Sequence, residues 1–383
     1  MIERIALRNI RSWSAGEVAL GPGPQLLWGA NGAGKTTIIE SCLVAATGRS
    51  HRASALRELL AADAPTGSLT LTSADDNASA NDPLGVELSR DDRVRFLVDG
   101  TSRRSSALGG RLRVATFVPE ETALVSGGPA LRRNALDRIA TQWRVGYRDA
   151  VARYERALRQ RNHLLKAAQA DGVGARTLSA ELNPWSELLV AAGAEIVEGR
   201  LALLEAVAAP IAAAHREVAP DEPPLSVAYR SREGYAQHAT RKEIAAQLSA
   251  ALRDTAANEA YQGHTLVGPH RDDATFSVGG RDMADVASRG QQRSVLLALL
   301  FAEIELLADE KGRPPVLLLD DAFSELDPVR RDHLVRRIAA TPQTIITTTT
   351  LSDLPPALVG ASSVTEIVRG ANGSEARATV KHG

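Results

Sequence analysis

Short apolar segments separated by polar or glycine-containing turns fill the first third of the chain. Such segments predict strands, here at residues 2–7, 17–20, 25–28, 68–72, 86–89, 94–98 and 112–118. Asp99-Gly100 is typical of a hairpin turn between two of these strands. The small, polar stretch from Ala74 to Pro83 predicts a mobile loop. We therefore expect the first third to form a β-rich lobe.

From about Leu131 the apolar period changes to that of helices. Asn183-Pro184 predicts the start of a second helix, which Pro210 should kink or end. Thr240 to Glu243 is a capping-box sequence for a third helix. The first helix is expected to be a single one of ~40 Å, with its apolar stripe at Ile139, Trp143, Tyr147, Val151, Tyr154, Leu158 and Leu165. Its opposite face carries the arginines Arg144, Arg148, Arg153, Arg156, Arg159 and Arg161.

The last part of the chain combines strands with one strongly apolar helix, predicted over Ser294 to Ala308. Pro315 to Asp321 predicts a buried parallel strand that ends in two carboxylates. Further strands are predicted around 274–278, at the threonine-rich stretch 343–350, and as edge strands at 364–368 and 377–380. The chain therefore returns to a sheet after its helical section.

The stretch from Gly29 to Thr36 follows an apolar strand and precedes a helix, and its spacing fits the phosphate-binding loop G-x-x-x-x-G-K-[ST]. Lys35 is expected to reach the β- and γ-phosphates of a nucleotide, and Thr36 to hold Mg²⁺. A chance glycine turn is the alternative. Lys35 is the only lysine before Lys166 in a chain that otherwise uses arginine, which favours a function for it. Backbone groups that would surround the phosphates belong to Gly29, Ala30, Asn31, Gly32, Ala33, Gly34, Lys35, Thr36 and Thr37.

The presence of the phosphate-binding loop favours a catalytic role for the paired carboxylates Asp320 and Asp321. Enzymes that use such a loop need an acid beside Mg²⁺ and a polar group that orients the attacking water. The loop and the acidic strand lie far apart in sequence but must meet at one nucleotide. We therefore expect the helical lobe to be an insertion into a discontinuous α/β lobe.

Composition limits the class of protein. At 383 residues the length suggests two or three domains. No apolar run approaches the ~20 residues of a membrane span, and the N-terminus lacks the build of a signal peptide, so we expect a cytoplasmic protein with no membrane partner. Cys42 is the only cysteine, which excludes an internal disulfide and a cysteine metal site, and it is expected to be buried.

Net charge is −1, but basic residues cluster. Between Leu131 and Ala170 there are ten Arg or Lys against three acids, and Thr101 to Arg113 holds four arginines and no acid. Local basic stripes bind polyanions even in a neutral protein. A solvated helix face is the alternative for each stripe, and both remain open.

The motifs together resemble the RecF recombination-mediator ATPases, a branch of the ABC-type ATPases related to SMC heads. Gly-Pro-His-Arg-Asp-Asp followed by Gly-Gln-Gln-Arg is far more specific than the phosphate loop. The matching stretches cover most of the chain: Leu7 to Arg11, Gly29 to Thr36, Thr47 to Arg52, Phe117 to Glu120, Leu266 to Asp273, Ser288 to Arg293 and Leu317 to Asp327.

This resemblance implies roles for single residues. Asp320 looks like the Mg²⁺-associated carboxylate, and Asp321 occupies the place of the catalytic base, where most relatives of the wider class have glutamate. Ser288, Gly290 and Gln291 resemble the signature that contacts the γ-phosphate held by another subunit. Ser324 to Asp327 looks like the D-loop at that junction. The resemblance thus implies a site with Asp321, Lys35 and Ser288 in catalytic roles and ATP shared between two chains of an ATP-dependent homodimer.

The implied fold is α/β, an ABC-type P-loop ATPase head with an inserted, mainly helical lobe. Residues 1–128 and 314–383 would form lobe I, and residues 129–313, with the signature, lobe II. The implied function is an ATP-dependent DNA-binding clamp for replication and recombinational gap repair. The clamp would bind double-stranded and gapped DNA and would hydrolyse ATP weakly with Mg²⁺. It would help to load RecA together with RecO- and RecR-like partners. The expected DNA contacts are Arg49, Arg52, Arg57, Arg103 and Arg104. The basic helix is a further candidate for this surface.

The chain departs from the family pattern at three places. Thr347 to Thr350 stand where ABC ATPases commonly carry a switch histidine, and Glu120, a candidate metal-side contact, stands about where the glutamine loop should be. Arg289 stands where many relatives carry glutamine. His51 could contact a phosphate backbone, and His270 is expected to be a structural hydrogen-bonding residue. Two other functions stay open: an ABC transport subunit, although these keep signature and phosphate loop much closer in sequence, and a nucleotide-gated regulatory protein without useful hydrolysis.

Overall fold

The computed structural model describes residues 1–73, 83–91, 93–170, 175–308, 312–324, 326–370 and 373–381. These residues form two compact units. Unit 1 comprises Met1–Ala123, Pro210–Pro224 and Ala287–Gly383, and unit 2 comprises Leu124–Ala209 and Leu225–Val286. The loop predicted over 74–83 lies, except for Pro83, outside the described residues.

The first stretch is rich in strands, as predicted. Its elements are β1 (Ile2–Ile10), β2 (Trp13–Ala19), β3 (Gly23–Trp28), α1 (Lys35–Thr47), β4 (Thr66–Ser73), β5 (Leu84–Ser89), β6 (Val94–Val98), β7 (Thr101–Arg103), β8 (Val114–Phe117) and α2 (Ala123–Ser126). Asp99 and Gly100 both have positive φ and join β6 to β7, which confirms the predicted hairpin turn.

The middle stretch is mainly helical. Its elements are α3 (Pro129–Trp143), α4 (Tyr147–Ala170), α5 (Ala175–Val218), β9 (Leu225–Arg230), α6 (Arg241–Gln262), β10 (Asp273–Val278), β11 (Arg281–Asp282) and α7 (Met283–Val286). Strands β9, β10 and β11 pair antiparallel in the order β11-β10-β9. Thr240 accepts a hydrogen bond from the Glu243 amide, and Glu243 accepts one from the Thr240 amide, so the predicted capping box of α6 is confirmed.

The last stretch contains α8 (Arg289–Leu306), β12 (Val316–Asp320), α9 (Pro328–Ala339), β13 (Gln343–Thr348), α10 (Pro356–Gly360), β14 (Ser363–Gly370) and β15 (Gly373–Lys381). The predicted edge strands 364–368 and 377–380 form an antiparallel hairpin. Only β15 lies at the edge, because β14 also pairs in parallel with β3.

Unit 1 contains an antiparallel sheet in the order β2-β1-β4-β5-β6-β7 and a mixed sheet in the order β15-β14-β3-β13-β12-β8. Helix α1 contacts strands of both sheets and is buried almost all round. Ile38 and Leu43 of α1 share one core with Leu71, Leu318 and Ile345. A helix that is buried on nearly every side needs no solvent-facing polar stripe, which explains why the apolar residues of α1 are not confined to one face. This packing fixes the start of α1 beside the ends of β3, β12 and β13.

The helical section differs from the prediction in two places. The predicted single helix from Leu131 is two helices, α3 and α4, separated at Gly146, whose φ is +82°. The second helix begins eight residues before Asn183, because Leu178 and Leu182 pack against Leu165 of α4 and hold the turns that precede exposed Pro184. Pro210 does not end this helix: Ile211 and the residues up to Val218 continue it and are largely buried.

The division into lobes also differs from the prediction at residues 287–313. The sequence placed this stretch in lobe II, whereas Ala287–Gly383 belongs to unit 1. The reason is that α8 packs against β8 and α9. Residues 210–224 likewise belong to unit 1.

A buried polar network explains the family-specific stretch 266–273 in unit 2. Arg200 forms a buried ion pair with Asp137 at 2.9 Å and donates to the Pro269 carbonyl at 2.7 Å. Tyr229 donates to Asp272 at 2.6 Å, and burial raises the pKa of Asp272 to about 7. Removal of one partner would leave a buried charge without its counter-ion, so substitutions in this network should destabilise the unit.

His270 belongs to the same structural network. Its Nδ1 lies 2.6 Å from the Tyr154 hydroxyl, and burial lowers its pKa to about 4, which confirms the predicted hydrogen-bonding role. Arg161 is buried and pairs with Glu259 at 2.6 Å, so it does not lie on the exposed basic face predicted for its helix.

Within the described ranges, no helix is both long and apolar enough to span a bilayer.

Candidate nucleotide-binding site

The phosphate-loop sequence forms the connection between β3 and α1. Gly29 has φ +152°, and a Cβ there would lie 2.1 Å from the Ile367 carbonyl of β14. Gly34 has φ +104°, and a Cβ there would lie 2.6 Å from Trp13 Nε1. Only glycine fits such close approaches at positive φ. The loop is therefore held between neighbouring strands and delivers its backbone to the start of α1.

Lys35 is the first residue of α1, and its side chain is buried. Its ammonium donates hydrogen bonds to the carbonyl oxygens of Gly29 at 2.7 Å and Ala30 at 2.9 Å. Burial lowers the pKa of Lys35, and the charges of Asp320 and Asp321 oppose this shift. The predicted lysine is thus anchored inside its own loop, with both carboxylates close enough to act on it.

Thr36 and Asp320, predicted as the magnesium residues, are in contact. Thr36 Oγ1 donates to Asp320 Oδ1 at 3.1 Å, and Thr347 Oγ1 donates to the same oxygen. Mg²⁺ is usually held by one or two protein oxygens, with water and substrate phosphates completing the octahedron. A hydroxyl and a carboxylate oxygen at hydrogen-bond distance fit that requirement.

Asp321 follows the last residue of β12 and has φ +48°, a left-handed conformation that aspartate and asparagine adopt more readily than other side-chain-bearing residues. Its amide donates to the Thr347 carbonyl at 3.2 Å and lies 3.1 Å from Thr347 Oγ1. Burial raises the pKa of Asp321, and the neighbouring charge of Asp320 adds to the effect. A carboxylate with a raised pKa beside a phosphate loop is suited to accept a proton.

These elements line one pocket of about 380 Å³ within unit 1. Its walls combine residues predicted for ATP with others that the sequence did not single out: Arg11, Ser12, Asn31, Gly32, Gly34, Lys35, Thr36, Thr37, Arg52, Pro119, Asp320, Asp321, Thr347, Thr348 and Thr349. The predicted Gly29, Ala30 and Ala33 belong to the same loop but do not line the pocket. The pocket brings the two ends of the chain together.

Arg11 is the main site residue that the sequence analysis missed. It pairs with buried Glu40 of α1 at 3.0 Å, and Glu40 also accepts from Ser50 Oγ at 2.5 Å. The side chain of Arg11 is 30% exposed. The only signal was its place in the family-like stretch Leu7 to Arg11, since no local spacing connects a strand end to a helix centre.

The signature residues lie at the start of α8 and do not line this pocket. Ser288 caps the helix: its hydroxyl accepts from the Gln291 amide at 3.2 Å, and Gln291 Oε1 accepts from the Ser288 amide at 3.0 Å. Gly290 lies between them in the first turn, and its carbonyl accepts from Ser294 at 3.3 Å. The predicted contact of these residues with another chain's nucleotide stays a prediction.

The D-loop residue Asp327 caps α9 by accepting from the Arg330 amide at 3.0 Å. The Arg330 guanidinium also pairs with Asp327 and donates to Ser294 Oγ of α8 at 2.6 Å and 3.0 Å. Arg330 therefore ties the signature helix to the D-loop. Glu325 lies outside the described residues.

The arginines predicted to contact DNA lie in different environments. Arg103 and Arg104 are exposed around the end of β7, whereas Arg52 lines the nucleotide pocket and lies 3.4 Å from Glu120. Arg57 is exposed and Arg49 is half-buried. Their contact with DNA stays a prediction, and the position of Arg52 favours a nucleotide role as well.

Comparison with known proteins identifies the family. The model of the RecF/RecN/SMC N-terminal domain matches residues 1–374. A DNA replication and repair protein RecF from Pediococcus pentosaceus is 34% identical over 369 residues, which cover 96% of this chain and 97% of that protein. The chain belongs to the RecF family. A RecF of the same description from Chloroflexus aggregans is 36% identical and covers 92% of this chain and 94% of its own.

Solved structures agree with membership of the RecF family. A structure of the recombination mediator protein RecF-ATPrS in the RecFOR pathway matches with a TM-score of 0.84 and 26% identity, over 99% of this chain and 98% of that one. The Smc head domain of Pyrococcus furiosus matches with a TM-score of 0.53 at 14% identity, which supports the fold alone. The predicted α/β ATPase-head fold and the predicted RecF resemblance are confirmed.

Thr347→Val should weaken Mg²⁺-dependent nucleotide binding. The change removes the hydroxyl that donates to Asp320 while it keeps the shape of the side chain, and loss of such a supporting hydrogen bond typically costs 10- to 100-fold in metal affinity. We expect a loss of about tenfold, measured by titrating the Mg²⁺ requirement of fluorescent-ATP binding.

Thr344→Val is the matched control on the same strand. Thr344 Oγ1 is buried without a hydrogen-bond partner among the described residues, so its removal should leave Mg²⁺ affinity unchanged. Equal effects of the two substitutions would show that β13 tolerates no valine and would contradict a specific role of Thr347.

Proposed function

We propose that this chain is an ATP-dependent DNA-binding clamp that acts in DNA replication and recombinational gap repair. The observation that carries the proposal is one pocket in which the phosphate loop, Asp320-Asp321 and Thr347 meet, in a chain of the RecF family. Relatives of the chain are described as DNA replication and repair proteins, and a solved relative as a recombination mediator with bound nucleotide. In this role the chain would help to load RecA with RecO- and RecR-type partners in the cytoplasm.

ATP with Mg²⁺ is the proposed cofactor. The amides at the start of α1 and the Lys35 ammonium would surround the β- and γ-phosphates, since a helix N-terminus favours an anion. Thr36 and Asp320 would hold Mg²⁺, which supplies charge neutralisation at the phosphates. Thr347 keeps the Asp320 carboxylate oriented towards Thr36.

Asp321 is the proposed base of a weak ATPase. Its amide is fixed by β13 and its carboxyl has a raised pKa, so the chain positions a proton acceptor at the edge of the pocket. The absence of a histidine at 347–350 removes one polar contact used by many ABC ATPases, which supports slow turnover.

The proposed active unit is a homodimer that forms on ATP. Exposed Ser288, with Gly290 and Gln291, stands outside the pocket of its own chain, as expected for residues that complete a partner's site. Because Arg330 joins the Ser288 helix to the Asp327 loop, both elements would engage the partner's nucleotide together. The γ-phosphate then supplies the contact that distinguishes the closed from the open state.

The proposed DNA partner is double-stranded or gapped DNA. Support comes from exposed Arg103 and Arg104, whose stretch contains no acid. Such residues contact phosphates and carry little sequence information. A transport ATPase subunit is not proposed, because the similarity to RecF proteins extends over nearly the whole chain.

Asp321→Asn should abolish ATP turnover and stabilise the ATP-bound dimer. Asparagine keeps the size and tolerates the left-handed conformation at this position but cannot accept the proton. We expect phosphate release to fall at least 100-fold, while light scattering with ATP shows a persistent dimer. Asp63→Asn, a substitution of an exposed aspartate, should change neither quantity. Unchanged turnover in Asp321→Asn would contradict the assignment of the base.

The raised pKa of Asp321 should be visible in the pH dependence of ATP turnover by the wild-type protein. Because the pKa of Asp321 is raised, its ionised form is lost at a higher pH than for an ordinary aspartate, and wild-type turnover should fall as pH drops through that raised value. A raised folded pKa also means that ionised Asp321 lowers stability as pH rises. The asparagine variant should therefore be no less stable than wild type at neutral pH.

Arg103→Ala with Arg104→Ala should weaken ATP-dependent duplex binding and its salt dependence. Loss of two phosphate contacts should reduce the slope of log affinity against log salt by about 1.8, measured by fluorescence anisotropy with ATP at several salt concentrations. Arg4→Ala is the control, because Arg4 is also exposed but already pairs with Glu17 at 3.3 Å. An unchanged slope in the double variant would contradict the assignment of these arginines.

A further inference from the structure

His51 is a buried residue that the proposed function leaves without a role. It is the third residue after Gly48, the C-terminal cap of α1, and its side chain is only 9% exposed. Both ring nitrogens lack a hydrogen-bond partner among the described residues. Its Nε2 is 3.9 Å from Glu120 Oε2, which is too long for a hydrogen bond.

His51 does not itself line the nucleotide pocket, but it lies next to residues that do. Its chain neighbour Arg52 lines the pocket, and so does Pro119, the chain neighbour of Glu120. On the other side, Ser50 donates to Glu40 of α1. The charged groups that act on the ring are Glu120, Glu40, Asp320 and Arg52, and burial lowers the pKa of His51 despite the three carboxylates. The ring is therefore held neutral, with one N–H donor and one acceptor.

A buried polar ring without partners is costly. An unmade hydrogen bond of a buried donor destabilises the fold, and an apolar side chain of similar volume would avoid that loss. The ring therefore needs a partner that enters the pocket. Next to a pocket built on a phosphate loop, an anionic phosphate oxygen is the acceptor that suits a neutral N–H donor.

We propose that His51 donates its ring N–H to a terminal phosphate oxygen of bound nucleoside triphosphate and so distinguishes ATP from ADP. The proposal rests on the proposed function, because it assumes that the pocket holds ATP.

The contact also connects nucleotide state with a basic loop. His51 and Arg52 are adjacent, and both lie beside Glu120, at 3.9 Å and 3.4 Å. A phosphate oxygen bonded to His51 would therefore contact the loop that also carries Arg49 and Arg52.

The test compares the affinities for two nucleotides in His51→Leu, His51→Gln and wild type. Isothermal titration with Mg²⁺ and either a slowly hydrolysed ATP analogue or ADP gives both affinities without any turnover. His51→Leu should lose about tenfold in affinity for the triphosphate, as expected for one hydrogen bond to a charged group, and less than twofold for ADP. His51→Gln keeps a donor of similar reach and should recover part of the loss. His238→Gln, a change of an exposed histidine, should match wild type.

The outcomes separate this inference from the proposed function. Equal losses for both nucleotides, or unchanged affinities, would overturn the role of His51 in reading the terminal phosphate. If His51→Leu does not fold, the ratio of the two affinities in His51→Asn, whose polar side chain is too short to make the contact, decides: a ratio equal to that of wild type and a lower thermal midpoint would assign His51 to packing alone. A wild-type protein that binds neither nucleotide would instead overturn the proposed function itself.

Discussion

The hydrogen bonds that Thr36 and Thr347 donate to Asp320 hold the site together. Thr36 is the second residue of α1, which follows β3, Asp320 ends β12, and Thr347 is near the end of β13. The strands β3, β13 and β12 are parallel neighbours in one sheet. The carboxyl ends of parallel strands share one edge of a sheet, which is where α/β proteins bind their ligands. Residues from opposite ends of a long chain thereby become a single phosphate and metal site. Any register shift in this sheet would separate Lys35 from the carboxylates.

A second constraint concerns the signature and the D-loop, which do not line the nucleotide pocket of their own chain. Ser288 and Gln291 cap each other at the start of α8, Asp327 caps α9, and Arg330 joins the two helices through Ser294. Local capping thus keeps two short segments rigid and correctly spaced before any partner arrives. Preorganisation of this kind lowers the entropic cost of assembly. It accounts physically for a site that would be completed only by a second chain.

Local patterns predicted much of this arrangement. The phosphate loop, the buried strand ending at Asp320, the α6 capping box and the Asp99-Gly100 turn depend on residues close in sequence, so spacing was enough to find them. The contacts of Arg11 with Glu40 and of Arg161 with Glu259 depend on packing between distant segments, which spacing does not encode. The position of α8 in unit 1 and the continuation of α5 past Pro184 and Pro210 likewise follow from tertiary burial that overrides local propensity. Thr347 was visible only as part of a threonine-rich strand, since its role depends on the register with β12.

The central claim is that one chain supplies the phosphate loop and another the signature. Mixing two inactive variants, Lys35→Ala and Ser288→Arg, tests it most directly, because only a mixed dimer contains one intact loop facing one intact signature. Each variant alone should show no ATP turnover, and an equimolar mixture should recover about a quarter of the wild-type rate per chain, since half of the dimers are mixed and each has one complete site. Full turnover by Ser288→Arg alone, or no recovery in mixtures that form dimers, would contradict a shared site.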